Sequence, residues 1–150
     1  MGAGADLPGA VLFACNHNAV RSPMAEAILK HLAGSRVYVD SAGVRAGEPD
    51  PFAAAVMDEI GIDLSPHAPK SLDRLNDGSF DLIVSLSPEA HHKALDLARG
   101  FAVDVEYWPT PDPALTEGSR EQILDAYRAL RDALFRKIKQ RFKLGEAPSV

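Results

Sequence analysis

Five apolar residues in a row at positions 10–14 (AVLFA) run straight into a polar stretch and then into a helical repeat. A short, uninterrupted apolar run is the pattern of a strand buried on both faces, as in a parallel sheet. The polar stretch, residues 16–21, is the connection. Ser22-Pro23 then opens a helix, because Ser caps helix N-termini and Pro fits the first turn. Met24, Ile28 and Leu32, with Ala25 and Leu29 beside them, form one apolar helical face that stops near Gly34. This order restricts the chain to folds in which helices cross over between strands.

The alternation continues. Residues 37–40 read as a second strand, closed by Ser41-Ala42-Gly43. Asp50-Pro51 starts a helix with Asp50 as its cap, Val56, Met57 and Ile60 inward, and Gly61 as the stop. Residues 80–86 are a third strand, 88–99 a helix and 103–107 a fourth strand. A proline-rich loop, 108–118, precedes the last helix. Ser119 and Gln122 fit a capping box there, and Ile123, Tyr127, Leu130, Leu134 and Ile138 form the apolar stripe. The expected fold is α/β, in three layers: a four-stranded parallel sheet flanked by helices on both faces, in one domain over residues 1–150. Residues 1–9 read as a loose leader and 144–150 as a loose tail. In such sheets ligands bind beyond the carboxyl ends of the strands.

Composition narrows the function. The net charge of −5 argues against broad nucleic-acid binding. No apolar run approaches the roughly 18 residues of a membrane helix, and the first residues lack the basic-then-apolar pattern of a signal peptide. The single cysteine cannot form an intrachain disulfide, which points to a reducing compartment, the cytoplasm.

That cysteine stands where the first strand ends. Cys15-Asn16-His17-Asn18-Ala19-Val20-Arg21-Ser22 is Cys, five residues, Arg, Ser. A loop of this length can curl around a tetrahedral oxyanion, with the backbone N–H groups of residues 16–22 pointing inward as an anion nest. The following helix adds its positive dipole end. Arg21 can bind two oxyanion oxygens with its planar fork. The same field favours a Cys15 thiolate, the nucleophilic form, and the Ser22 hydroxyl can donate to that sulfur. The plainer alternative is a small buried hydrophobe after a strand. Two Asp-Pro pairs could supply a proton. Asp50 reads as a cap, whereas Asp112 lies in a long loop stiffened by Pro109 and Pro111. The remaining histidines, His31, His67, His91 and His92, have no metal-ligand spacing, so no metal is expected. The basic run 136–143 reads as a solvated helix end.

The segment VLFACNHNAVRSPMAEAIL resembles the phosphate-binding loop and first helix of the low-molecular-weight protein tyrosine phosphatases and the related arsenate reductases. The likeness continues through DSAG (40–43), AVMDEIGIDLS (55–65) and YWPTPDPA (107–114). It implies a cysteine nucleophile at Cys15, an anion-binding Arg21 and a general acid at Asp112. It also implies an Asn18 amide that braces the loop, a Ser41 that holds Asn18, and no metal or organic cofactor. His17 stands where many phosphatases carry Gly. The resulting expectation is a phosphomonoester hydrolase, a protein tyrosine phosphatase acting on a phosphorylated protein or small phosphomonoester through a cysteinyl-phosphate. Arsenate reduction with an external thiol is the alternative, because Ser85-Leu86-Ser87 has no cysteine where thioredoxin-coupled relatives place one. A non-catalytic phosphate-binding module is the third reading, disfavoured by the presence of Cys15, Arg21 and Asp112 together. Two features depart from the phosphatases. Ala114 replaces an aromatic after Asp112-Pro113, and residues 44–48 have none, leaving Tyr107, Trp108 or Phe52 as the rings that could wall the site.

Overall fold

Hydrogen bonding in the computed structural model, which describes residues 7–75 and 79–144, sets the first strand at the heart of a parallel sheet. β1 (Ala10–Cys15) pairs with β2 (Tyr38–Gly43) on one side and β3 (Leu82–Ser85) on the other. β4 (Asp104–Tyr107) adds to β3, so the order is β2-β1-β3-β4. Phe13 lies opposite both Ser41 and Val84, and Cys15 lies opposite Gly43. Parallel pairing requires long crossovers, supplied here by α1 (Arg21–Ala33), α2 (Pro51–Asp58) and α3 (Pro88–Ala98). The chain closes with α4 (Arg120–Phe142).

The period-two geometry of β1 divides the core. Val11, Phe13 and Cys15 face a cluster that includes Met24, Ile28 and Leu29 of α1, Val56 and Met57 of α2, and Leu130, Leu134 and Ile138 of α4. Leu12 and Ala14 face the other way, against Leu72, Phe80 and the Ala90 and Ala94 of α3. This is the expected three-layer α/β arrangement, and it explains why residues 10–14 are apolar without alternation. Each fully buried Leu, Ile or Phe contributes about 1.5–3 kcal/mol over an exposed one.

Several boundaries differ from the sequence reading. α1 begins at Arg21, and Ser22 makes no cap; its hydroxyl is engaged elsewhere. Ser41, Ala42 and Gly43 do not close β2 but extend it, because each pairs with β1. α2 ends at Asp58, three residues before Gly61, whose φ of +79° turns the chain away. Asp50 caps α2 as expected, accepting from the N–H groups of Phe52 and Ala53. The Ser119–Gln122 capping box of α4 is present. Leu7, placed in the loose leader, is half-buried against the core, and its neighbour Gly9 accepts a hydrogen bond from Tyr38 N–H. Leu144 packs on the same core; the rest of the expected loose ends, 1–6 and 145–150, lies outside the described residues. The 136–143 run is partly engaged, since Arg141 binds Glu106.

Charge ties α2 to α4. Glu59, just past α2, accepts from Arg128 and Arg131 of α4. Those bonds, from Arg128 first, hold its carboxyl down to about 2. No described helix is long and apolar enough to cross a membrane.

Candidate active site

Cys15 is the last residue of β1 and is 2% exposed. The loop after it turns at the carboxyl end of the sheet and enters α1 at Arg21. Its outer carbonyls are all engaged. Cys15 O accepts from Val44 N–H at 2.9 Å, Asn16 O from Arg45 N–H at 2.9 Å and His17 O from Gly47 N–H at 2.8 Å. Asn18 O receives His67 Nε2 at 2.9 Å, which makes that nitrogen the protonated one. A trans peptide is planar, so a carbonyl turned out turns the next N–H in. The N–H groups of Asn16, His17, Asn18 and Ala19 are thereby directed to the inner side of the loop, as an anion nest requires. The loop closes through Asn18 at φ +55°, a left-handed conformation that Asn tolerates. Gly43 is forced by proximity: a Cβ there would stand 2.6 Å from Arg45 O and 2.7 Å from Asn18 N.

A buried polar network braces the loop. Asn18 Nδ2 donates to Ser22 Oγ and Ser41 Oγ, both at 2.9 Å, while its Oδ1 accepts Lys70 N–H at 2.9 Å. Ser41 Oγ donates to Glu26 Oε1 at 2.6 Å, and His67 Nδ1 lies 3.9 Å from that oxygen. Ser22 Oγ is 2.9 Å from Cys15 Sγ. Because Asn18 already donates to that hydroxyl, its one hydrogen is available for the sulfur. Ser87, the cap of α3, donates to Asn16 Oδ1 at 2.6 Å.

Arg21 is 6% exposed and reaches across to the loop after β4. Its Nη1 donates to Thr110 O at 2.9 Å, and its Nη2 lies 3.8 Å from Asp112 Oδ2. Asp112 caps the short 3-10 turn Pro113–Leu115, accepting from Ala114 N–H. Cys15, Arg21 and Asp112 thus line one cavity of about 250 Å³, with Ala19 and Val20 in its wall and His17 exposed at its rim. Asp50 lines it too, which capping alone did not imply. Its Oδ2 accepts from Tyr127 Oη at 2.8 Å. Burial first, then Asp50 and the charge of Asp112, push the Tyr127 phenol well above its usual range.

The rings available as walls do not reach this cavity. Phe52 packs on Tyr127, Trp108 meets Phe13 edge-on, and Tyr107 stacks on His91. The rim is instead His17, Gly47, Glu48 and Ala114. Among the described residues no group of three or more His, Cys, Asp or Glu is placed to hold a metal ion. Sequence reasoning missed Glu26, His67, Lys70, Ser87 and Tyr127. Only the i to i+4 spacing of Ser22 and Glu26 on α1 could have pointed to one of them, by placing Glu26 on the loop side of the helix.

The site is thus a cysteine at the carboxyl end of a parallel strand, sharing one cavity with an arginine and an aspartate at a loop that leads into a helix. The chain belongs to the family of low molecular weight phosphotyrosine protein phosphatases, which matches residues 10–144. An arsenate reductase of Shouchella clausii is 34% identical over 139 residues, covering 91% of this chain and 96% of its own. The low molecular weight protein tyrosine phosphatase of T. tengcongensis superposes with a TM-score of 0.75 at 26% identity, covering 89% of this chain and 97% of its own. An arsenate reductase in its phosphate-binding state gives 0.70 at 26% identity, covering 91% and 98%. Relatives of both kinds therefore share this fold.

Proposed function

We propose that the protein hydrolyses phosphomonoesters through a cysteinyl-phosphate on Cys15. The observation that carries this reading is a lone thiol, Cys15, sharing its cavity with Arg21 and the Asp112 carboxyl. Cys15 Sγ attacks phosphorus as the P–O bond to the leaving group breaks, and Asp112 gives that oxygen a proton. Water then attacks phosphorus, Asp112 takes its proton, and the S–P bond breaks to release phosphate and the thiolate. Arg21 and the inward N–H groups hold the three equatorial oxygens in both steps. Ser22 donates to the sulfur when it leaves. Asn18 and Ser41 position the loop, and no metal or organic cofactor takes part. A phosphorylated protein or small phosphomonoester in the cytoplasm is the substrate class, and the aromatic-free rim gives no support to phosphotyrosine in particular.

A second reading, arsenate reduction, is favoured by the curated relatives, several of which carry that name over nearly their full length. The 150 residues contain one cysteine, so an internal disulfide relay is unavailable and an external thiol would have to attack the cysteinyl-arsenate. One side-by-side assay separates the two: an aryl phosphate alone, against arsenate with thioredoxin, glutaredoxin or glutathione. Turnover of the phosphate without thiol supports hydrolysis. Turnover only of arsenate, and only with thiol, replaces it with the second reading. In either case Cys15→Ser should bind phosphate and turn nothing over. Asp112→Asn should slow poor leaving groups by roughly 10²–10⁴ while sparing activated phenols.

A further inference from the structure

A second cavity, markedly apolar, lies beside the one that holds Cys15. It is a groove of about 470 Å³ between α4 and the segment 107–116, in the range of small-molecule sites. Trp108, Pro109, Pro111 and Pro113 form one wall, and Leu130 and Leu134 the other. α4 also contributes the small residues Ala126, Ala129 and Ala133, the last two exposed. The one cation lining it is Lys137, whose Nζ lies 5.3 Å from the centre of the Trp108 ring. Among the described residues no carboxylate forms an ion pair with Lys137. The nearby Glu106 is taken by Arg141 and by the Trp108 indole N–H. Thr110 spends its hydroxyl hydrogen on Trp108 O. The groove therefore offers apolar walls with one ammonium, that of Lys137, and one carboxylate, that of Asp112, in its lining.

We propose that this groove binds a small apolar carboxylate, its body against the prolines and leucines and its anionic end on Lys137. The ammonium supplies the charge complement, and the walls supply the hydrophobic attraction. Asp112 and Pro113 line the same groove, and Asp112 also lines the Cys15 cavity. The occupant thus packs against the turn that carries Asp112 and shifts its carboxyl relative to Cys15. That coupling rests on Asp112 acting as the acid, whereas the binding itself does not.

The sole tryptophan of the chain, Trp108, lines the groove, so its fluorescence responds to an occupant there. Octanoate should give a saturable change, and octanol and octylammonium should bind at least fivefold more weakly. Lys137→Met should erase that preference. Ala133→Phe, on an exposed helix position, should fill the groove and abolish binding while the thermal melt stays intact; Ala129→Phe repeats the test. Saturating inorganic phosphate should leave octanoate affinity unchanged. No saturable change, equal binding of octanol, or competition by phosphate each overturns the site. A fluorescence change that tracks protein concentration, with dimer in sedimentation, would assign the groove to a second copy of the chain and overturn it as well. In turnover, octanoate should alter kcat for a poor leaving group at least twofold in the wild type and not in Asp112→Asn; an unaltered wild-type rate at full occupancy refutes the coupling. Because fluorescence needs no turnover, loss of the hydrolase reading would leave the binding result standing.

Discussion

Replacing Asn18 tests how the oxyanion loop is held. Asn18→Ala removes two donated bonds, to Ser22 and Ser41, and leaves Lys70 N–H without its acceptor. The two donated bonds are worth about 1 kcal/mol each, and an N–H left unsatisfied at this part-buried position costs about 1–3 kcal/mol, toward the low end. Alanine at φ +55° adds roughly 1 kcal/mol of left-handed strain. The expected loss is about 4–6 kcal/mol, against a total of about 5–15 for a domain of this kind. Asn18→Gly loses the same bonds without that strain, so it should be more stable than the alanine variant by about 1 kcal/mol. Urea unfolding at constant m-value reads both, and phosphate affinity should fall in parallel as the inward N–H groups lose their fixed aim. The reasoning fails if either variant lies within about 0.5 kcal/mol of wild type. Equal stability of the two would show that the loop relaxes out of the left-handed turn.

Three further outcomes follow from the same geometry. Arg21→Lys keeps the charge but not the planar fork, so phosphate binding and turnover should both collapse; near-normal kinetics would place Arg21 outside oxyanion contact. Gly43→Ala should unfold the site, because the new Cβ meets only backbone atoms, and a variant with wild-type thermal stability and phosphate affinity would disprove that packing. Ionised Glu59 has a folded pKa near 2, below its ordinary 4.5, so it stabilises the fold above pH 4.5 and that support is lost as pH falls toward about 2. Glu59→Gln should flatten this stretch of the stability curve, and an unaltered acid limb in urea titrations counts against the Arg128–Glu59 tie.

What was legible in the sequence is what lies consecutively along it. Residues 10–33 announce a buried strand, a loop and a helix, since the apolar pattern changes period across a polar interval. Cys15 and Arg21 stand out because the spacing itself is chemical. Asp112 needed the family likeness, as a lone Asp-Pro pair does not choose between cap and acid, and Asp50 in fact both caps α2 and lines the cavity. Ser22 reads both as a cap and as a donor to the Cys15 sulfur, because Ser-Pro before an apolar repeat looks the same in either case; its contacts with Asn18 and Cys15 leave only the second role. His67 and Lys70 act on Asn18 from 49 and 52 residues away. No local pattern encodes such a partnership, least of all one made through Lys70's main chain. The aromatic rings near the loop were candidates by position, and packing against Phe13, Tyr127 and His91 removed them.

The pairing of Val44, Arg45 and Gly47 with the carbonyls of Cys15, Asn16 and His17 is entirely main-chain. Apart from Gly43 and Gly47, where a Cβ would collide, it places no demand on which side chains residues 44–48 carry. Of residues 44–48, Gly47 and Glu48 line the cavity's rim. The main-chain scaffold of the loop and the side chains at its rim can therefore be inherited separately. Substitution of Glu48 changes that rim while the main-chain pairing stays intact. A lineage built this way can change its clientele in a few steps without passing through a broken enzyme.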